Sequence, residues 1–277
     1  MSTELPHVIV LMTDFGLSDT YVGQMKGVML SLAPSVQIID LTHAISPQNI
    51  AQGAFLLAKS VPFFPERSIV ISVVDPGVGS SRQAIALETD KHTFLAPDNG
   101  LLTAVFQTEK IQHCVSITEE RYLLTARSST FHGRDVFSPA AAHLASGISL
   151  QELGKTIDPA DCIKIPIPEC HSSDNGQSWS GSIIYTDSFG NLVTSLDSKH
   201  FDNQKEWMVR AGNCNQIPLV TTYSDVPVQQ PLAYTGSSGM IEIAVRNGRA
   251  ARTLGLREGN PVTMSASDVL LENLAVR

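Results

Sequence analysis

The sequence predicts two units of different class, an α/β domain with a mixed or parallel sheet and helices on both faces, followed by an all-β barrel or sandwich. Three observations predict it. A chain of 277 residues exceeds what one core comfortably serves, and about one domain per 150 residues gives two. The first half alternates β-branched runs with helical periodicity, the pattern of strands joined by crossover helices. The second half holds short strand-like runs punctuated by glycine, asparagine and proline. The expected boundaries are 1–160 for the α/β domain, 161–178 for a linker rich in proline and small polar residues, and 179–277 for the β domain.

The elements follow in order. HVIVLMTD reads as a buried strand that stops at Asp14, and DTYVGQMKGVMLSLAP as a helix closed by Pro34. VQIIDL is a second strand. In SPQNIAQGAFLLAKSV, Ser46 offers an N-cap and Pro47 a first helical residue. RSIVISVVDPGVGSSR gives a third strand that breaks at Pro76 and Gly77. In TFHGRDVFSPAAAHLA, Ser138 and Pro139 read as a helix start, which leaves His132, Gly133, Arg134 and Asp135 in the preceding loop. Beyond the linker, SGSIIYTD, NLVTSL, WMVRA, MIEIAVR and PVTMSA are strand candidates.

Composition narrows the function classes. Apolar residues make up 43% and charged residues 17% of the chain, enough for a core and no case for disorder. A formal charge of -8 argues against nucleic-acid binding, which rests on cations neutralising phosphates. The short apolar run near the N-terminus lacks a basic lead-in and does not read as a signal peptide. No apolar stretch approaches the ~18 residues of a membrane span. Cys114, Cys162, Cys170 and Cys214 have no metal-site spacing and no disulfide-framework pattern. The expectation is a cytoplasmic protein acting on a small molecule, without membrane, metal or cofactor.

In a doubly wound sheet, ligands collect beyond the carboxyl ends of the strands, so polar residues ending strands are the first candidates. Asp14, Asp75 and the His132 segment meet that description. An aspartate before Phe-Gly or Pro-Gly also serves simply to shape a turn, and the same holds for Asp187 in YTDSFGN. PGVG lacks the lysine and serine of a phosphate-binding loop, and no GxSxG marks a serine nucleophile. His43, His143 and His200 have no motif context.

Six motifs, TDFGLSDTYVGQMKG, VVDPGVGSSR, PDNGLLT, TFHGRDVFSPAAAHLASG, TDSFGNLVTSL and SSGMIEIAVRNGRAA, occur in that order over about residues 8–262. Together they resemble the S-adenosyl-L-methionine hydrolases, also called SAM hydroxide adenosyltransferases, which are related to the fluorinase and chlorinase. The resemblance implies an α/β domain, a β-barrel domain and a homotrimer whose ligand, S-adenosyl-L-methionine or adenosine, lies between domains of neighbouring subunits. It places the water-activating trio on Asp75, Arg82 and His132. It also implies ribose binding by Asp14, methionine-end contacts from Asp19, Asp187 and Ser237, and adenine contacts from Asn191 and the segment around Asn247. Ser238 stands where the halogenases have arginine, and the long halogenase insertion after VVDPGVGSSR has no room here. The competing readings are a SAM-dependent halogenase and a noncatalytic SAM or adenosine sensor.

These residue types suit the reaction. Water has a pKa of ~15.7, so a site must take its proton or favour its anion. Arg82 supplies a permanent cation for hydroxide, His132 accepts or orients a proton, and Asp75 fixes the His132 tautomer or anchors Arg82. The leaving group is a neutral thioether and needs no acid.

Overall fold

The computed structural model describes residues 8–201 and 205–266. The chain divides into two units, Met1–Ile167 and Pro168–Arg277. The first contains β1 (Val8–Thr13), α1 (Tyr21–Leu32), β2 (Gln37–Thr42), α2 (Ile50–Ser60), β3 (Ile69–Val73), β4 (Ala84–Thr89), β5 (Thr93–Pro97), α3 (Thr103–Thr108), β6 (Ile111–Ile117), α4 (Ser138–Ala145) and β7 (Gly154–Thr156). The strands form one mixed sheet in the order β2-β1-β3-β5-β4-β6-β7. The first four are parallel, and β4, β6 and β7 join antiparallel.

Alternation along the strands sends neighbouring side chains to opposite faces. Ile9, Leu11, Ile69 and Ile71 pack with Met25 and Met29 of α1 and with Ala140 and Ala141 of α4. Val10, Met12 and Val70 pack instead with Leu57 of α2 and Val105 of α3. The helices therefore cover both faces, and the central strands β1 and β3 are largely apolar because both of their sides are buried.

Two helix starts differ from the sequence reading. Ser46 and Pro47 do not begin α2. Gln48 has φ of 66°, which no helix tolerates, and Asn49 caps α2 by accepting a hydrogen bond from the Gln52 N–H at 3.0 Å. Nor is Ser138 an N-cap, since its own backbone is already helical. Gly133–Phe137 forms a π-helical turn running directly into α4, and the Ser138 N–H and hydroxyl both donate to the Gly133 carbonyl. His132 thus stands at the head of a helix rather than in a loop.

The second unit contains β8 (His171–Ser173), β9 (Ser178–Thr186), β10 (Leu192–Asp197), β11 (Trp207–Ala211), β12 (Cys214–Pro218), β13 (Pro231–Thr235), β14 (Met240–Val245), α5 (Ala250–Leu254) and β15 (Pro261–Ala266). β8 lies inside the segment expected as linker and pairs with β9. The other strands run β12-β11-β15-β9-β10-β14-β13, and every pair is antiparallel. Beyond β12, Leu219 bridges to Ala233 of β13 and the Val220 N–H donates to the Ala233 carbonyl at 2.8 Å, which brings the sheet's ends together as a nearly closed barrel. Ile183, Leu192, Val209, Ile217, Ile241, Ile243 and Met264 fill it.

Leu11 is fully buried in the centre of β1. Leu11→Ala is expected to lower stability by about 2–5 kcal/mol, the usual range for such a cavity. Denaturant unfolding of the variant checks this.

Candidate functional site

β1 and β3 are parallel neighbours with Thr13 opposite Val73, so Asp14 and Asp75 leave the sheet at the same carboxyl edge. The chain after β3 is held by Asn99, whose side-chain amide donates to the Val74 carbonyl at 2.8 Å. It then turns back through Gly79, which has φ of 79° and lies so close to the Ser129 carbonyl that a Cβ would stand 2.7 Å from that oxygen. Only glycine allows this approach. It brings the 75–82 turn against the segment that leads into His132.

The turn and the helix head meet at Arg82. Its Nε donates to Asp75 Oδ1 at 3.0 Å, and its Nη2 donates to Asp75 Oδ2. The two side chains are only 7% and 5% exposed. Nη2 also lies 2.8 Å from His132 Nδ1. A guanidinium only donates, so the neutral imidazole accepts at Nδ1 and carries its proton on Nε2. Asp75 therefore anchors Arg82, and it is Arg82 that fixes the tautomer of His132. Burial, then the Arg82 charge, holds the His132 pKa below the ordinary 6.5, with Asp75 and Asp135 opposing. Arg82 Nη1 is buried and has no hydrogen-bond partner among the described residues. Such an orphaned cationic donor costs stability unless something fills it.

Asp14 is half-buried, and its Oδ2 accepts the Gln48 N–H at 2.8 Å. The loop carrying it is fastened by His43, which sequence reasoning left without a role. Its Nε2 donates to Asp40 Oδ1 at 3.0 Å, so its Nδ1 accepts from the Thr13 hydroxyl at 2.8 Å. The His43 carbonyl also takes the Gly16 N–H at 2.7 Å. Asp19 is exposed in the loop before α1. Phe15, Tyr21 and Phe131 form a three-ring cluster with edge contacts of 5.2–5.9 Å.

In the second unit, Asp187 and Asn191 build the turn between β9 and β10. Asp187 Oδ1 accepts the Asn191 N–H at 2.8 Å, and Oδ2 accepts its Nδ2–H at 3.1 Å. Gly190, at φ of 89°, passes against Arg249 where a Cβ would lie 2.7 Å from that side chain's Cβ. Asn191 is 5% exposed and also donates to Tyr223 Oη at 3.1 Å. Ser237 and Asn247 are exposed, and the Asn247 carbonyl accepts Gln229 Nε2–H at 2.8 Å. Asp75, Arg82 and His132 are thus in contact within the first unit, and Asp187 and Asn191 within the second. Tyr223, Tyr234 and Glu242 were not legible as site residues. The one available signal was a charge at 242 between core residues 241 and 243.

Residues 9–154 match the family model described as the SAM hydroxide adenosyltransferase N-terminal domain, and residues 181–263 match that of the C-terminal domain. A Thermus thermophilus protein named (R)-S-adenosyl-L-methionine hydrolase is 35% identical over 263 residues, covering 92% of this chain and 98% of the relative. A fluorinase of an Actinoplanes species is 26% identical over 290 residues, covering 93% and 97%. A solved structure of an uncharacterized conserved protein from Thermotoga maritima superposes with a TM-score of 0.83 at 32% identity, over 92% of this chain and 99% of that one.

The geometry makes His132 a reporter of Arg82. Its ring should titrate below 6.5, and Arg82→Met should raise the midpoint, because removing the neighbouring cation favours the imidazolium. An NMR titration checks both. An unchanged midpoint would mean that the two groups are not coupled.

Proposed function

The chain belongs to the SAM hydroxide adenosyltransferase family, and on that premise we propose that it hydrolyses S-adenosyl-L-methionine to adenosine and L-methionine by attack of hydroxide on C5′ of the ribose. The observation that carries the mechanism is the orphaned Nη1 donor of the Arg82 guanidinium, whose Nη2 bonds His132. A water oxygen placed there takes up the donor that the protein leaves unused. The cation then lowers the cost of losing a proton to solvent, and the His132 Nε2–H orients the resulting hydroxide.

Hydroxide forms the new C–O bond at C5′ while the C5′–S bond breaks and its electron pair passes to sulfur. Positive sulfonium and negative hydroxide cancel, and the products are neutral at the reacting atoms. The released water proton completes the balance. In-line alignment is then the main requirement, and a bound geometry supplies it. Asp14 is assigned to the ribose hydroxyls, since a carboxylate accepts from two vicinal hydroxyls. Asp19, Asp187 and Ser237 are assigned to the methionine end, and Asn191 and Asn247 to adenine. Asp187 suits an ammonium because each of its oxygens keeps a lone pair beside its turn-holding bond. No metal ion or cofactor enters this scheme.

By family likeness the protein is proposed to be a cytoplasmic homotrimer whose substrate site is completed by a neighbouring subunit. The relatives named as hydrolases specify the (R) sulfonium, and that epimer is the proposed substrate. A halogenase would need a dry halide pocket, and a polar trio at the site, with the Arg82 and Asp75 side chains nearly buried, argues against one.

Incubation with S-adenosyl-L-methionine in heavy-oxygen water should give adenosine labelled at its 5′-hydroxyl together with methionine, faster from the (R) than the (S) epimer. Adenine as the main product, or 5′-halogenated adenosine outrunning adenosine when halide is added, would contradict the reaction. Arg82→Ala and His132→Ala should each lower kcat on the order of a hundredfold, whereas Asp14→Ala should chiefly raise KM. Equal loss of affinity in all three with unchanged kcat would refute this division. Light scattering should show a trimer, and a fully active monomer would exclude the shared site.

A further inference from the structure

The turn carrying Asp187 and Asn191 is tied to a line of hydroxyls on the outer face of the barrel. Glu242 lies on β14 between Ile241 and Ile243, whose side chains fill the barrel, so its own side chain points outward. Across β13 it pairs with Tyr234, and across β10 with Val193, which pairs in turn with Tyr185. Tyr234 Oη bonds to Glu242 Oε2, Tyr223 Oη lies 2.7 Å from Tyr234 Oη, and Asn191 Nδ2 lies 3.1 Å from Tyr223 Oη. Gly236 leaves the space for this carboxylate, because a side chain there would collide with Glu242.

The direction of this chain follows from its end. Tyr234 donates its hydroxyl to Glu242 Oε2, whose carboxyl pKa is raised by burial. The Tyr234 oxygen is then free to accept from Tyr223, and the Tyr223 oxygen accepts from Asn191. Asp187 Oδ2 takes the second hydrogen of the same Nδ2. Both amide hydrogens are consumed, and Asn191 Oδ1 has no partner among the described residues and is not among the sealed, orphaned atoms. Burial, then the bond to Glu242, raises the Tyr234 pKa, which keeps its hydroxyl a donor.

We propose that Glu242 is a specificity-determining residue: acting through Tyr234 and Tyr223, and alongside Asp187, it helps to fix the Asn191 amide with Oδ1 toward the ligand, so that the site selects a purine bearing an amino group at C6 over a 6-oxo purine. The inference rests on the assignment of Asn191 to adenine. An amino group satisfies Oδ1, whereas an oxo group sets two acceptors against each other and leaves both desolvated without a partner.

Calorimetric affinities of the full-length protein for adenosine and for inosine test this without relying on turnover. The intact protein should favour adenosine on the order of ten- to a hundredfold. Glu242→Gln removes the acceptor-only end, and Tyr234→Phe frees the Tyr223 hydroxyl to donate back to Asn191 Oδ1. Both should narrow the preference severalfold while thermal unfolding remains cooperative. A merely structural role would weaken both nucleosides alike. Unchanged preference in either variant, or equal affinity of the intact protein for the two nucleosides, overturns the proposal. Binding of neither nucleoside overturns it together with the adenine assignment, while product analysis of the same preparation judges the hydrolysis separately.

Discussion

Arg82 keeps its charge in a nearly sealed position because Asp75 grips it through two nitrogens, and most of what surrounds the site exists to make that grip possible. A buried guanidinium without a carboxylate would be costly, and a carboxylate there without the guanidinium equally so. The pair satisfies Asp75 but not all of Arg82. One nitrogen serves His132 as well, and another has no partner among the described residues.

The scaffold explains how such a constellation is held. Parallel strands deliver Asp14 and Asp75 to one edge, and the helix head delivers His132 from a different part of the chain. Each arrives on an element whose interior is packed, with Phe137 fully buried and its ring 5.8 Å from the Arg82 guanidinium carbon. Loops alone would hold these groups less accurately than elements braced by a core. In the second unit the same economy appears differently, with Asp187 both closing a hairpin and keeping lone pairs to spare.

Much of this was legible in the sequence because it is local. β-branched runs ending in aspartate located β1 and β3, and alternation with helical stretches indicated a sheet covered on both faces. All five strands expected in the second half are present as β9, β10, β11, β14 and β15. What escaped notice depends on backbone torsions or on distant partners. Ser46 and Ser138 both precede proline and look like caps, yet the φ of Gln48 and a π-helical turn decide the actual helix starts. Glu242, Tyr234 and Tyr223 become neighbours only through strand register, which no short window encodes. Strands β4 to β7 were missed for the same reason, since their identity rests on pairing rather than on periodicity.

The π-helical turn at Gly133–Phe137 carries a consequence for how the protein tolerates change in length. It holds one residue more than a regular helix would, closed by the Ser138 amide reaching back five residues. Deleting any single residue of that turn would leave a better helix by local criteria. It would also rotate everything before it by about 100° around the axis, swinging His132 off Arg82 while the hydrophobic seam of α4 stayed in place. The contact between His132 and Arg82 would be lost while the packing of α4 remained. Along this stretch the number of residues is therefore constrained as tightly as the identity of the buried Gly133, Asp135, Val136 and Phe137.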